Sequence, residues 1–194
     1  MKKEKSSSHK VIVRHPAPVL DKIAEAVPLS DISSPEIKKI IHEMSEALRH
    51  APDGIGIAAP QIGYSVRIFL ASEEALKYDD AKEMTEEERE KKEWKQYIFI
   101  NPIIKNVSKK KLRELEGCLS VPKKFGLVDR AEKVTVEAYD EHGKKFQRGT
   151  SQLYARLMQH EIDHLDGHLF IEKVTEWVEI EKEKKHKSHH DTKE

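Results

Sequence analysis

Two histidines four residues apart, in the run His160-Glu161-Ile162-Asp163-His164, are the residues of this sequence best suited to do chemistry. Four residues make about one helical turn, so on a helix both imidazoles project from one side and can bind one metal ion. Glu161 stands beside the first histidine, where its carboxylate can reach a metal-bound water without itself ligating. A divalent ion brings the pKa of such a water to roughly 7, and an adjacent carboxylate can take the remaining proton. A catalytic site of this kind needs a third protein ligand and one open position. Downstream, Phe170 stands where the long form of the motif would place a third histidine, His168 falls short of it, and Glu172, Glu176 and Glu179 are generic candidates. Upstream, Cys118 sits in Glu116-Gly117-Cys118-Leu119-Ser120, just before Val121-Pro122. A lone cysteine is more often a small buried apolar residue than a ligand, but a setting between a glycine and a polar turn favours the ligand. A third segment, Gly54-Ile55-Gly56-Ile57-Ala58-Ala59-Pro60-Gln61, is small and apolar and ends in an amide. Small residues let a backbone approach a ligand or the core closely. The segment lacks both the Lys-Ser/Thr pair of a phosphate loop and the glycine spacing of a dinucleotide fingerprint.

These side chains need elements to carry them. Leu153, Leu157, His160 and His164 fall at i, i+4, i+7 and i+11, which is one face of a helix. That helix is predicted to begin near Thr150 or Ser151, either of which could cap it, and to stop at Gly167 in a left-handed turn. An earlier helix is predicted from Ser34 as N-cap and Pro35 at its first position. Ile37, Ile40, Ile41, Met44 and Leu48 recur along it at helical spacing, and Pro52-Asp53-Gly54 ends it. Strands are predicted at Val11-Ile12-Val13, before the prolines of His15-Pro16-Ala17-Pro18, at Val66-Arg67-Ile68-Phe69-Leu70, and at Tyr97-Ile98-Phe99-Ile100. Val134, Val136 and Ala138 alternate with polar residues, and Asp140-Glu141-His142-Gly143 turns the chain toward Lys144 and Phe146 as a hairpin. Residues 73–95 are dominated by charge and read as a solvated insertion or exposed helix joining two strands.

The length of 194 residues favours a single domain with one core. Its expected extent is residues 11–174, between a polar, disordered tail at 1–10 and a charged helical start that runs into a mobile tail at 175–194. Thirty-five basic side chains balance 35 acidic ones, which argues against a global attraction to nucleic acid or membrane. One cysteine cannot form an intramolecular disulfide. No apolar run approaches the roughly 20 residues that span a bilayer, and Met1-Lys2-Lys3-Glu4-Lys5-Ser6-Ser7-Ser8 lacks the apolar stretch of a secretory signal. The expectation is a soluble, cytoplasmic protein.

Taken in order, Gly-x-Gly-x-Ala-Ala-x-Gln at residues 54–61, Glu-Gly-Cys-Leu-Ser at 116–120 and Gln-His-Glu-x-Asp-His at 159–164 resemble the three signature motifs of the peptide deformylase family. The resemblance implies an α+β fold with mostly antiparallel sheets packed around a central metal-binding helix. It also implies hydrolysis of the N-formyl group from the initiator methionine of nascent bacterial and organellar polypeptides, with release of formate. Carried onto this chain, Cys118, His160 and His164 hold one divalent metal ion, Fe(II) by preference, with Zn(II), Ni(II) and Co(II) also suited to the ligands. Metal-bound hydroxide attacks the formyl carbonyl, with Glu161 as general base and then as acid toward the leaving amine. The Gln61 side-chain amide and the Leu119 backbone N–H stabilise the oxyanion. The peptide pairs strand-like beside Ile55 and Gly56, Gly117 lies close to the metal end, and Leu153 and Leu157 are candidates for the methionine pocket. The implied partner is a formylmethionyl nascent chain, with the segment after Ile180 as a candidate ribosome contact, and with neither sequence-specific nucleic acid nor membrane.

The chain departs from the family pattern at several points. Ala17-Pro18-Val19-Leu20-Asp21 replaces the usual Asp-Pro and Leu-Arg of the N-terminal stretch, and Phe125 stands where many relatives carry an arginine near the peptide path. Arg156 takes a position where an apolar residue is common, and is expected at the pocket rim or in solvent. Two alternatives accompany this reading: another H-E-x-x-H metal hydrolase or protease with a downstream third ligand, and an inactive, ribosome-associated homologue.

Overall fold

A computed structural model describes residues 10–51, 54–77, 84–85, 87–88 and 92–179. The first strong element is helix α1, Pro35–Arg49, where the Ser34 side chain accepts a hydrogen bond from the Ile37 N–H and Pro35 occupies the first turn, as its sequence predicts. Ile37, Ile40, Met44 and Leu48 are buried along one face, while Ile41 is half-buried beside them. Of the residues expected to end this helix, Pro52 and Asp53 lie outside the described residues.

Strands β1 (Gly56–Ala58), β2 (Ile68–Ser72), β3 (Gln96–Val107), β6 (Lys133–Tyr139) and β7 (Lys145–Ser151) form a five-stranded antiparallel sheet in the order β1-β2-β3-β6-β7. Strands β4 (Lys111–Cys118), β5 (Val121–Ala131) and β8 (Val174–Val178) form a second antiparallel sheet in the order β4-β5-β8. A one-turn helix α2, Glu73–Leu76, follows β2, its first turn closed by the Ser72 hydroxyl accepting from the Glu74 N–H. Helix α3, Gln152–Leu165, leaves β7 directly and carries the H-E-x-x-H run.

Burial explains why these segments choose their periods. All of β2 is buried, because α1 covers one face of the sheet and α3 the other, so Ile68-Phe69-Leu70-Ala71 reads as a continuous apolar run. Ile68 and Leu70 join Ile37, Ile40 and Met44 in one cluster. Phe69 points the opposite way and joins Val134, Val136, Leu157, Met158 and Ile162 in another. Strand β6 alternates buried and half-buried residues, and its turn to β7 carries Gly143 at φ 78°, in agreement with the expected hairpin. The fold is α+β, with antiparallel sheets about α3, as the family resemblance implies.

Several expectations are corrected. Val11-Ile12-Val13 is not a strand; the segment instead ties the backbone at Gln61 to that at Ser120, the Val13 N–H donating to the Gln61 carbonyl at 2.8 Å and the His15 N–H to the Ser120 carbonyl at 2.8 Å. Strand β2 begins two residues later than Val66, which makes an isolated bridge to Glu25. Ser151 is the N-cap of α3, yet its side chain makes no capping bond. Phe170–Glu172 forms a single 3-10 turn, but the helical start expected to follow does not form. Residues 174–178 pair with β5, with Val178 opposite Phe125 and Trp177 opposite Gly126, because an open strand edge and the β-branched and aromatic residues there outweigh the charged composition. Residues 1–9 and 180–194, both expected as tails, lie outside the described residues, as does most of the 73–95 insertion beyond α2. No helix among the described residues is long and apolar enough to cross a membrane.

Candidate metal centre

Helix α3 presents His160 and His164 on one side, with ring centroids 5.0 Å apart. Cys118, the last residue of β4, faces them across the gap between the two sheets. Ligand atoms of Cys118, His160 and His164 all lie within 4.8 Å of one another, and Cys118 Sγ is 3.2 Å from His164 Nε2. Among the described residues this is the one group of three such side chains close enough to share an ion. Glu172 is engaged elsewhere, accepting from the Leu169 N–H at 2.8 Å and facing His168 Nδ1 at 2.9 Å, and Glu176 lies on β8. Of the upstream and downstream candidates, Cys118 is the one the fold brings to the two histidines. One thiolate and two imidazoles within this spread fit a tetrahedral cation with a position left for a fourth ligand.

The surroundings tune each donor. His160 Nδ1 lies 3.1 Å from Glu116 Oε2, which leaves Nε2 for an ion. Burial disfavours the charged form of His160, but the Cys118 sulfur and Glu116 carboxylate outweigh it and hold its pKa well above the usual value, so a proton must leave before it ligates. Burial, aided by His160 and Arg130, keeps His164 well below its usual value and hence neutral. Glu161 is 2% exposed, and its Oε2 has no hydrogen-bond partner among the described residues. Burial pushes its carboxyl up to about 7, only partly countered by the His160 charge. A buried carboxyl poised near neutrality beside a candidate metal ligand suits proton transfer.

Gln61 approaches from a short 3-10 turn, Ala59–Ile62, and is buried. Its Oε1 accepts from the Ala58 N–H at 2.8 Å, which turns the donor end, Nε2, toward Ser120 Oγ at 3.3 Å and Cys118 Sγ at 3.5 Å. Leu119 occupies the tight turn between β4 and β5.

A cleft of about 610 Å³ opens over this group. Ile55, Gly56, Gln61, Gly117, Cys118, Leu119, Leu153, Leu157, His160 and Glu161 all line it, so of the residues singled out in the sequence only His164 sits below its wall. Its two long sides are the free edges of β1 and β4, each the outermost strand of its sheet. Gly56 allows α3 to press against β1: a Cβ there would lie 2.6 Å from Leu157 Cδ1 and 2.7 Å from Glu161 Oε1. At the mouth, the Phe125 ring lies across Gly117 and Lys123 and Lys124 flank it, so the wall there is apolar with cations at its rim.

A second layer escaped the sequence reading. Glu116 is buried and receives a bidentate pair from Arg130, Nε to Oε1 and Nη2 to Oε2, each at 2.9 Å. Arg130 continues to Asp163, which Lys173 also reaches at 2.6 Å. Burial would raise the Glu116 carboxyl, but hydrogen bonds from His160 and Arg130 hold it well below the usual carboxylate range. Arg156, expected at the pocket rim or in solvent, lines the cleft but is 4% exposed, bonded to Glu114 and Glu116. Gln159 pins α3 to β5, accepting from the Ala131 N–H at 3.0 Å and donating to the Ala131 carbonyl at 2.9 Å. The available signal was periodicity: Arg156 precedes His160 by one helical turn, and Glu116 alternates with Cys118 along β4.

The fold is α+β, with a cysteine–histidine–histidine cluster close enough to hold a metal ion set between two sheet edges. A family model described as polypeptide deformylase matches residues 9–179. Peptide deformylase 1A, chloroplastic/mitochondrial, of Arabidopsis thaliana is 39% identical over 165 residues, 84% of this chain but 60% of that protein's length. Peptide deformylase of Dehalococcoides mccartyi strain CBDB1 is 40% identical over 158 residues, 81% of each. The Met-Ala-Ser-bound crystal structure of class I type b peptide deformylase from Acinetobacter baumannii superposes with a TM-score of 0.72 at 29% identity, covering 84% of this chain and 97% of that one. This chain belongs to the peptide deformylase family, whose members are metal enzymes.

Proposed function

We propose that this protein removes the N-formyl group from the initiator methionine of nascent polypeptides and releases formate. The observation that carries the reading is the placement of Cys118, His160 and His164, with Glu161 beside them, at one end of a cleft bounded by two free strand edges. Cys118, His160 and His164 would hold the metal, Fe(II) by preference since the family resemblance favours it, with Zn(II), Ni(II) and Co(II) also suited to the set. When bound, the ion would acidify the attacking water and polarise the formyl carbonyl.

The chain's own residues supply the rest. The substrate lies extended, its backbone pairing with Ile55 and Gly56 on one side and with Gly117 on the other. Glu161 Oε2 takes a proton from the attacking water and returns it to the amine nitrogen as the C–N bond breaks, giving formate and a free N-terminus. Gln61 Nε2 and the Leu119 N–H donate to the carbonyl oxygen as charge builds on it. Leu153 and Leu157 receive the methionine side chain, long and unbranched, which an apolar pocket accepts by volume. The structure of the Acinetobacter relative with Met-Ala-Ser, a peptide beginning with methionine, supports this substrate class. We place the reaction in the cytoplasm; the named location of the Arabidopsis relative is chloroplastic/mitochondrial. A ribosome contact through the segment after Ile180 concerns residues outside those described.

The test is formate release from formyl-Met-Ala-Ser by protein loaded anaerobically with Fe(II), with acetyl-Met-Ala-Ser as control. Release from the formyl peptide alone is expected. No release from metal-loaded protein would put the inactive homologue first. Cys118→Ala is expected to lose the ion, measured by elemental analysis after gel filtration, and formate release with it. Retained metal would reinstate a downstream ligand. Leu153→Trp is expected to raise KM for formyl-Met peptides about tenfold or more by filling the pocket, with metal content unchanged. An unchanged KM would move the methionine pocket elsewhere.

A further inference from the structure

We propose that Arg156 is a positioning residue for the metal ligands, bracing α3 against β4 through Glu116, an inference that rests on the metal-site reading above. The guanidinium spends its donors on both strands of the neighbouring hairpin. Nε donates to Glu114 Oε2 at 3.0 Å, Nη1 to Glu116 Oε1 at 2.7 Å and to the Val128 carbonyl at 2.9 Å, and Nη2 to the Leu112 carbonyl at 2.8 Å. One side chain of α3 thus holds β4 at Leu112, Glu114 and Glu116 and β5 at Val128.

The ligand set is split across that same joint, with His160 and His164 on α3 and Cys118 on β4. Arg156 stands one helical turn before His160, and both reach Glu116 from the same helix face. The two oxygens of Glu116 are divided between them. Oε1 accepts from Arg156 and Arg130, while Oε2 accepts from Arg130 and faces His160 Nδ1. Four donors on two oxygens leave the carboxylate one rotation, and that rotation sets the plane of the His160 ring. Cys118 is two residues beyond Glu116, so a shift of β4 relative to α3 would move the sulfur as well.

Burying a guanidinium is costly, and an apolar side chain of similar volume would fill this space without that cost. Its return is geometric: a planar fork fixes direction where apolar packing would not. Arg156 should therefore act on the ion's affinity and coordination beyond any effect on folding.

Metal-free wild type, Arg156→Met, Arg156→Lys and Glu114→Gln are titrated anaerobically with Co(II). Thiolate charge-transfer absorption reports affinity, ligand-field bands report geometry, and thermal melts of the metal-free proteins report folding. Arg156→Met is expected to weaken Co(II) binding about 10–100-fold and to shift the ligand-field bands. Arg156→Lys, a charge without the fork, is expected to restore part of the affinity. Glu114→Gln loosens only the outer anchor, so a smaller loss is expected there. Wild-type affinity and spectrum in folded Arg156→Met overturn the brace. If Arg156→Met does not fold, Glu114→Gln decides by the same criterion, an unchanged affinity and spectrum overturning the brace. A wild type that takes up no Co(II) overturns the metal reading, and the brace with it, whatever the variants do.

Discussion

Glu161→Gln is expected to lower kcat for formyl-Met-Ala-Ser about 10²–10⁴-fold, the usual range for loss of a general acid–base group, while leaving metal content near that of wild type. Gln keeps the shape and the hydrogen-bonding atoms but cannot take a proton from water or deliver one to nitrogen. Near-normal kcat in this variant would remove Glu161 from the proposed mechanism. The same substitution carries a stability signature of opposite sign. In the metal-free protein burial pushes the Glu161 carboxyl up to about 7, above its ordinary 4.5, so the folded state holds a proton that the unfolded chain releases. A raised carboxyl costs nothing below the unfolded value, costs progressively more as pH rises to the folded value, and costs its full amount above that. The full amount is on the order of 3 kcal/mol. Metal-free Glu161→Gln should therefore be more stable than wild type above pH ~7 and indistinguishable from it below pH ~4.5. Urea titrations across that window check the sign. A difference that does not depend on pH would mean that the Glu161 carboxyl is not desolvated as its burial indicates.

Glu116→Ala is expected to be the most destabilising single change around the site, by about 3–5 kcal/mol, because it strands buried positive charge. Arg130 would keep Asp163 and Arg156 would keep Glu114, but neither pair is as enclosed as the shared Glu116 carboxylate. For a chain of this size the loss corresponds to a fall in Tm on the order of 10 °C. The pH dependence runs the other way from that of Glu161. Glu116 is held well below the ordinary carboxylate range, so its stabilisation is present above pH ~4.5 and is lost as pH falls further. The gap between wild type and Glu116→Ala should narrow in acid. Metal affinity should fall as well, since His160 Nδ1 loses its partner. A variant with wild-type Tm would show that Arg130 and Arg156 find water or other acceptors and that the ion lattice is not what holds β4 to α3.

The two substitutions separate roles that adjoin in space. Glu161 Oε2 is buried without a hydrogen-bond partner among the described residues, and in the proposed mechanism that burial would serve proton transfer at the expense of the metal-free fold. Glu116 is buried with several partners, and in the same proposal it would position His160. Both carboxylates contribute to the environment of His160, yet their variants should differ in opposite directions on stability and its pH dependence.

The features legible from the amino-acid sequence are local. The cap Ser34-Pro35, the apolar stripe of α1, the β6–β7 hairpin and the shared face of His160 and His164 each arise within a few residues of chain, where backbone sterics and helical or strand periods act directly. The three motifs also carried the family, because their residue types are set by chemistry. Tertiary structure decided what depends on partners far along the chain. Cys118 meets His164 across 46 positions of sequence, and no local period shows that approach. The charged composition after Phe170 favoured a helix, but the open edge of β5 made residues 174–178 a strand. Arg156 read as a pocket-rim or solvent residue because guanidinium groups seldom go inside unpaired, and only the approach of Glu114, Glu116 and three carbonyls offsets the cost of its burial. A side chain's own chemistry limits where it can lie, and the groups the fold brings to it settle where it does.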